Sequence, residues 1–130
     1  MSSHPSSAAA AANVYAQSSI ENAPPVKIVR FLYQGAIRYL DSASACEPHA
    51  RASRFNEWLS RAEDVVVELR LCLDASHAPE IAESLTELYL FVENSINRAR
   101  REQSPEALAG ARAVLVKLLE AWTAIDTSKS

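Results

Sequence analysis

Residues 31–40 read FLYQGAIRYL, and seven of the ten are apolar or aromatic. Apolar residues recur at Val29, Leu32, Tyr33, Ala36, Ile37 and Leu40. That 3.6-residue period predicts a helix with one face turned inward. Ile28, Phe31 and Tyr39 fall off the stripe and make a second apolar strip. Pro24 and Pro25 mark the helix start, since proline is tolerated in a first turn. The helix is expected to end near Cys46, because Glu47 precedes Pro48 and a pre-proline residue avoids helical geometry. Gly35 sits inside it at a cost of ~1 kcal/mol relative to alanine. A glycine at such a position lets another backbone come close, either a neighbouring helix or a bound peptide.

The same period continues outward along the chain. A second helix is expected from about Ala50 to Asp74. Its stripe is Phe55, Trp58, Leu59, Ala62, Val65, Val66, Leu69 and Leu73, with Val67 and Leu71 in excess. Pro79 and Glu80 open a third helix whose face carries Ile81, Leu85, Leu88, Val92, Ile96 and Ala99, widened by Leu90 and Phe91. Ser104-Pro105-Glu106 reads as an N-cap, a proline at N1 and a first-turn acid. It starts a fourth helix carrying Leu108, Ala111, Leu115, Leu118, Trp122 and Ile125. Short connections force neighbouring helices to run antiparallel. The expected fold is therefore all-α, an antiparallel up-down four-helix bundle over 24–126. Residues 1–12, rich in serine and alanine, are expected to be a disordered leader. Residues 13–23 read as an N-terminal arm or short extra helix, and 127–130 as a frayed tail.

At 130 residues the chain fits one domain with a core of its own. Its two glycines, Gly35 and Gly110, argue against an all-β fold and cannot assemble a glycine-rich phosphate loop. A net charge of −3 gives no general attraction to nucleic acid or anionic lipid. No run approaches the ~18 apolar residues of a membrane span, and no signal peptide is visible. Cys46 and Cys72 would lie about 30 Å apart in an antiparallel helix pair, at ~1.5 Å rise per residue, too far for a disulfide. They read as packed free thiols in a reducing cytoplasm.

Catalytic chemistry has no visible signal. His4, His49 and His77 fall in the leader and in loops, without the i, i+3 or i+4 spacing of a helical metal site. Neither cysteine has a positioned histidine partner. Glu63-Asp64 and the pair Glu83 and Glu87 read as solvated helix faces. The basic run Arg98, Arg100, Arg101 reads as helix-end charge that favours the dipole. No enzyme activity, cofactor or metal is expected.

A bundle helix needs about three apolar positions per heptad, and the first and third helices exceed that. Two readings of the surplus stay open from pattern alone: a wide core with a few exposed leucines, or a surface for a partner.

Five segments carry a family resemblance across residues 13–126. NVYAQSSI looks like an N-terminal tyrosine motif, and LYQGAIRYLDSA is similar to an LYDGAIRFL first-helix segment. ELRLCLD is similar to an ELxxSLD helix ending, LTELYLFVENSINRA to LxxLYxYMxxRLxxAN, and LLEAWTAI to LLxxLxxAWxxI. In that order they resemble the FliS family of flagellar secretion chaperones. Departures lie at Gln34, where the family usually has an acid, at ASHAPE in place of a glycine-rich turn, and in the longer leader.

The resemblance implies a helical bundle that binds the disordered C-terminal segment of flagellin in apolar grooves in the cytoplasm. Binding of this kind prevents premature polymerisation and aids delivery to the flagellar type III export apparatus. It is helix-in-groove recognition coupled to folding. Matched onto this chain, the expected partner-binding residues are Tyr15, Ile20, Leu32, Tyr33, Ile37, Arg38, Leu88, Tyr89, Val92 and Trp122. Tyr15, Tyr33 and Tyr89 are expected to show exposed edges, since tyrosine suits half-wet contacts. An export-gate component or a flagellar regulator is the expected class of second partner. The competing expectation is a structural or regulatory bundle that forms a homodimer through its surplus strip.

Overall fold

The first described helix, α1, spans Val26–Ser44; it buries Val29, Tyr33, Ala36 and Leu40 of the expected stripe and Ala43 beyond it, while Leu32 and Ile37 of that stripe are half-buried. The computed structural model describes residues 26–76 and 78–128, with side chains to Ile125. The leader and arm, with Tyr15 and Ile20, lie outside the described residues. α1 closes by tightening its last turn, where the Cys46 amide donates to the Ala43 carbonyl at 3.0 Å.

Helix α2, Phe55–Leu71, begins later than the pattern suggested. Residues 47–53 make successive turns instead, with the Ala50 amide on the Glu47 carbonyl and the Ser53 amide on the Ala50 carbonyl. Ala52 is left-handed at φ 61°, a conformation that no α-helix interior accepts. The Phe55 amide donates to the Ser53 hydroxyl at 3.2 Å and so gains a partner outside the helix.

Helix α3 runs over Pro79–Glu102, with Pro79 in its first turn and Arg100 and Arg101 in its last. It stops at Gln103, left-handed at φ 50°, whose amide reaches the Ala99 carbonyl. The Gln103 side chain supports that turn by donating to the Arg100 carbonyl at 2.7 Å and to Asn56 at 3.0 Å. The expected fourth-helix start is replaced by one 3-10 turn, Pro105–Leu108, before α4, Ala109–Ser128. Ser104 makes no side-chain cap. Its hydroxyl donates to the Glu106 carboxylate at 3.0 Å instead.

Cross-helix pairs show the antiparallel order directly. Asp41 near the end of α1 meets Arg112 near the start of α4, while Tyr33, earlier in α1, meets Trp122, later in α4. Between α2 and α3, Arg70 meets Glu93 and Glu63 meets Arg100. The four helices enclose one core, and among the described residues there is no strand. Each fully buried large apolar side chain there contributes about 1.5–3 kcal/mol of transfer free energy. At the centre Tyr33 and Tyr89 join hydroxyl to hydroxyl, and Trp122 lies against Tyr33 at 6.4 Å between ring centroids. Glu93 is the buried charge among the described residues, and the Arg70 guanidinium grips it with both Nε (2.6 Å) and Nη2 (3.2 Å).

Candidate functional site

The off-stripe residues of α1 form a line on its outer side at Ile28, Phe31, Gly35 and Tyr39. These positions follow the helical period at i, i+3, i+7 and i+11. Tyr39 stacks on Trp58 of α2 at 5.9 Å and 23°, so the line runs beside α2 and is closed at one end by that stack. Ile28 is 49% exposed and Phe31 66%. A Cβ built on Gly35 would meet nothing within 4 Å. No helix among the described residues therefore uses the room that the glycine leaves.

The closed end carries charge. The Arg54 guanidinium lies 4.4 Å from the centre of the Trp58 ring, and Arg61 lies 5.4 Å from it. Both arginines bind Glu57, Arg54 through two hydrogen bonds of 3.0 and 2.6 Å and Arg61 through one of 3.0 Å. The bond from Arg54, above all, holds the Glu57 carboxyl below its ordinary range. Aromatic stacking and cation–π contact keep Trp58 flat against α1, which fixes the end wall of the apolar line.

The structure separates the residues that the family resemblance grouped. Tyr33 and Tyr89 were expected to present edges; they are buried at 0% and 2% exposure. The physical reason is their mutual hydroxyl bond, which satisfies polar groups that otherwise favour a wet edge. Val92 and Trp122 are likewise core residues. Leu32, Ile37 and Leu88 are half-buried against the core but on different seams. Leu32 lies one heptad before Tyr39, on the α2 side. Ile37 precedes Asp41 by one turn and so lies on the α4 side, where Arg112 holds Asp41. Leu88 precedes Phe91 by one turn, and the Phe91 ring lies over Gly110 of α4. Arg38 is exposed and makes no ion pair among the described residues.

The most exposed large apolar residues, Ile28, Phe31, Leu71, Leu90 and Phe91, were absent from that group. The signal for them was their position off each helix's stripe. Both described cysteines are half-buried, and neither is in a disulfide. Among the described residues no cluster of histidine, cysteine and acids could hold a metal, and no helix is long and apolar enough to cross a membrane.

Comparison with known proteins agrees with this architecture. The family model for the flagellar protein FliS matches residues 7–129. The chain is similar to the flagellar secretion chaperone FliS of Vibrio cholerae, 31% identical over 112 residues, covering 86% of this chain and 82% of the relative. It is also similar to the flagellar secretion chaperone FliS of Salmonella typhimurium, 27% identical over 120 residues, with 92% and 89% covered. A third relative of that name, from Bacillus subtilis, is 23% identical over 108 residues, with 83% and 80% covered. A family match spanning all four helices, with a bundle to carry it, establishes that this chain belongs to the FliS family.

Proposed function

We propose that this chain is a cytoplasmic export chaperone that binds the disordered C-terminal segment of flagellin along α1. In doing so it keeps flagellin from polymerising early and aids its delivery to the flagellar type III export apparatus. FliS is a family of chaperones, not of enzymes, and its relatives here bear the name flagellar secretion chaperone. The observation that carries the reading is the exposed pair Ile28 and Phe31 beside the open Gly35.

A guest segment that folds into an amphipathic helix loses conformational entropy as it orders. Burying Ile28 and Phe31, at about 1.5–3 kcal/mol each when fully covered, offsets part of that cost. Gly35 lets the guest backbone approach α1 where a side chain would hold it off. Arg38, exposed and unpaired among the described residues, lies one turn beyond Gly35. It suits a carboxylate or the carbonyl end of a guest helix.

The test is titration of the full chain with the flagellin C-terminal peptide, read by calorimetry and by amide chemical shifts. Binding of micromolar strength or tighter, −8 kcal/mol or better, is expected, with the largest shifts at Ile28, Phe31 and Gly35. No heat and no shift would overturn the reading.

A further inference from the structure

The α1 line lies between two borders of opposite charge. On α1 the outer border is Lys27, Phe31 and Arg38, at i, i+4 and i+11. The helical period turns these three further from α2 than Ile28, Gly35 and Tyr39. Lys27 and Arg38 are exposed, and neither makes an ion pair among the described residues. The one acid of α1, Asp41, is held by Arg112 on the α4 side.

The opposite border belongs to α2. Tyr39 near the end of α1 stacks on Trp58 near the start of α2, and the two helices run antiparallel from that stack. Seven residues away from it in each helix stand Leu32 and Val65, both half-buried against the core. They are therefore level with each other beneath the line. Asp64 and Glu68 follow Arg61 at i+3 and i+7 and share its face, which the contact of Arg61 with Trp58 turns toward α1. Both carboxylates are exposed and without an ion pair or hydrogen bond among the described residues. Arg54 and Arg61 stand on the same border, but both are gathered at the closed end on Trp58 and Glu57. Along the open part the free charges are thus positive on α1 and negative on α2. Lys27 and Glu68 lie about 18 and 15 Å from the stack, at ~1.5 Å per residue, and so nearly face each other across the line.

From this arrangement, and resting on the reading of α1 as the flagellin site, we infer which helix the guest segment forms there. Its apolar stripe carries acids on one flank and lysine or arginine on the other, and the acidic flank lies toward α1. Acids three turns apart reach Lys27 and Arg38, and bases one turn apart reach Asp64 and Glu68. The sign pattern also sets the direction of the guest. Turning it end for end, with its stripe still on the line, exchanges its flanks and places like charge against like charge at both borders. A guest with one sign on both flanks always meets one border wrongly. Charge matching of this kind fixes register and rejects wrong arrangements.

The probes are three synthetic helices of about 18 residues, five turns, of one composition and with one leucine stripe. The first has glutamate on one flank and lysine on the other, the second exchanges the flanks, and the third mixes both signs on each flank. Each carries a nitroxide at its N-terminus, and binding to the full chain is followed by calorimetry and amide spectra. The first two should bind within threefold of each other and in opposite directions, one label broadening amides around Ile28 and the other those around Ser42. The mixed helix should bind at least tenfold more weakly. K27E/R38E should weaken the first two helices and the flagellin peptide at least tenfold. It should also tighten binding of a fourth helix with lysine on both flanks, a gain that a folding defect does not produce. Labels at the same end for both orders, a mixed helix as tight as the others, or unchanged flagellin-peptide affinity in K27E/R38E would overturn the inference. Flagellin-peptide shifts at Phe31 and Gly35 would leave the function proposed above standing in each of those cases. Absence of those shifts in the parent chain overturns that function, and the inference with it.

Discussion

The hydroxyl of Tyr33 on α1 is hydrogen-bonded to the hydroxyl of Tyr89 on α3, across the centre of the bundle. α1 and α3 are diagonal partners, so this bond ties together two helices that neither follow each other in the chain nor share a seam. Removing either hydroxyl, in Y33F or Y89F, is expected to cost about 1 kcal/mol in urea unfolding. The double variant should cost less than the sum of the two, because the second change removes a hydroxyl whose bond to the other tyrosine is already lost. Strictly additive costs would show that the two hydroxyls act independently. Flagellin-peptide affinity should stay within about twofold in all three variants, since both rings are buried and lie away from the α1 line.

Phe31 is expected to behave in the opposite way. It is two-thirds exposed and off the core face, so Phe31→Ala should leave unfolding free energy within about 0.5 kcal/mol of the parent. Covering its ring by a guest is worth about 1.5–3 kcal/mol, so the variant should bind the flagellin peptide about 10- to 100-fold more weakly. Calorimetry beside urea unfolding separates the two effects. A variant that loses stability but keeps affinity would place Phe31 in the fold and not in the site.

How much of this was legible in the sequence differs between fold and site. The four helices follow from apolar period, and the buried residues of α1 are the periodic ones. The start of α2 was not legible, because a left-handed Ala52 carries no mark in its residue type. The two tyrosines misled for a related reason. One helix read alone shows that tyrosine suits a half-wet position, but not that a second tyrosine waits opposite it in the core. Conversely Tyr39, part of the surplus strip by spacing, is covered by Trp58 from another helix. Spacing reveals which side chains are extra on a helix. Only the neighbouring helices decide which of those extras stay at the surface, as Ile28, Phe31 and Leu71 do.

Gly35 allows a test with two readouts of opposite sign. Its added Cβ would meet open space, so Gly35→Ala should stabilise the fold by about 0.5–1 kcal/mol through helix propensity alone. Gly35→Leu should also fold, but its side chain projects where a guest backbone is expected, and peptide affinity should fall at least tenfold. Unchanged affinity in Gly35→Leu would mean that the guest does not pass over this turn of α1.

The end wall of the α1 line should respond to acid through Glu57. Its carboxyl is held below the ordinary carboxylate range, first by the hydrogen bond from Arg54 and then by the charges of Arg54 and Arg61. A depressed folded-state value means that the unfolded chain binds the proton more readily. The group therefore contributes stability above the unfolded-state value, and that contribution is lost as pH falls through the lower, folded-state one. Because the group is exposed to solvent, the contribution is small and screened by salt. A carboxyl carbon titration should place the Glu57 midpoint below that of an ordinary glutamate. Arg54→Ala should move it back upward, since that substitution removes the largest cause. Glu57→Gln should flatten the acid-side loss of stability and, by freeing both guanidinium groups, loosen Trp58 from Tyr39, seen as a weaker cross-relaxation between the two rings. A Glu57 midpoint that does not move in Arg54→Ala would show that the arginine is held by the indole face alone, and that the carboxylate plays no part in the wall.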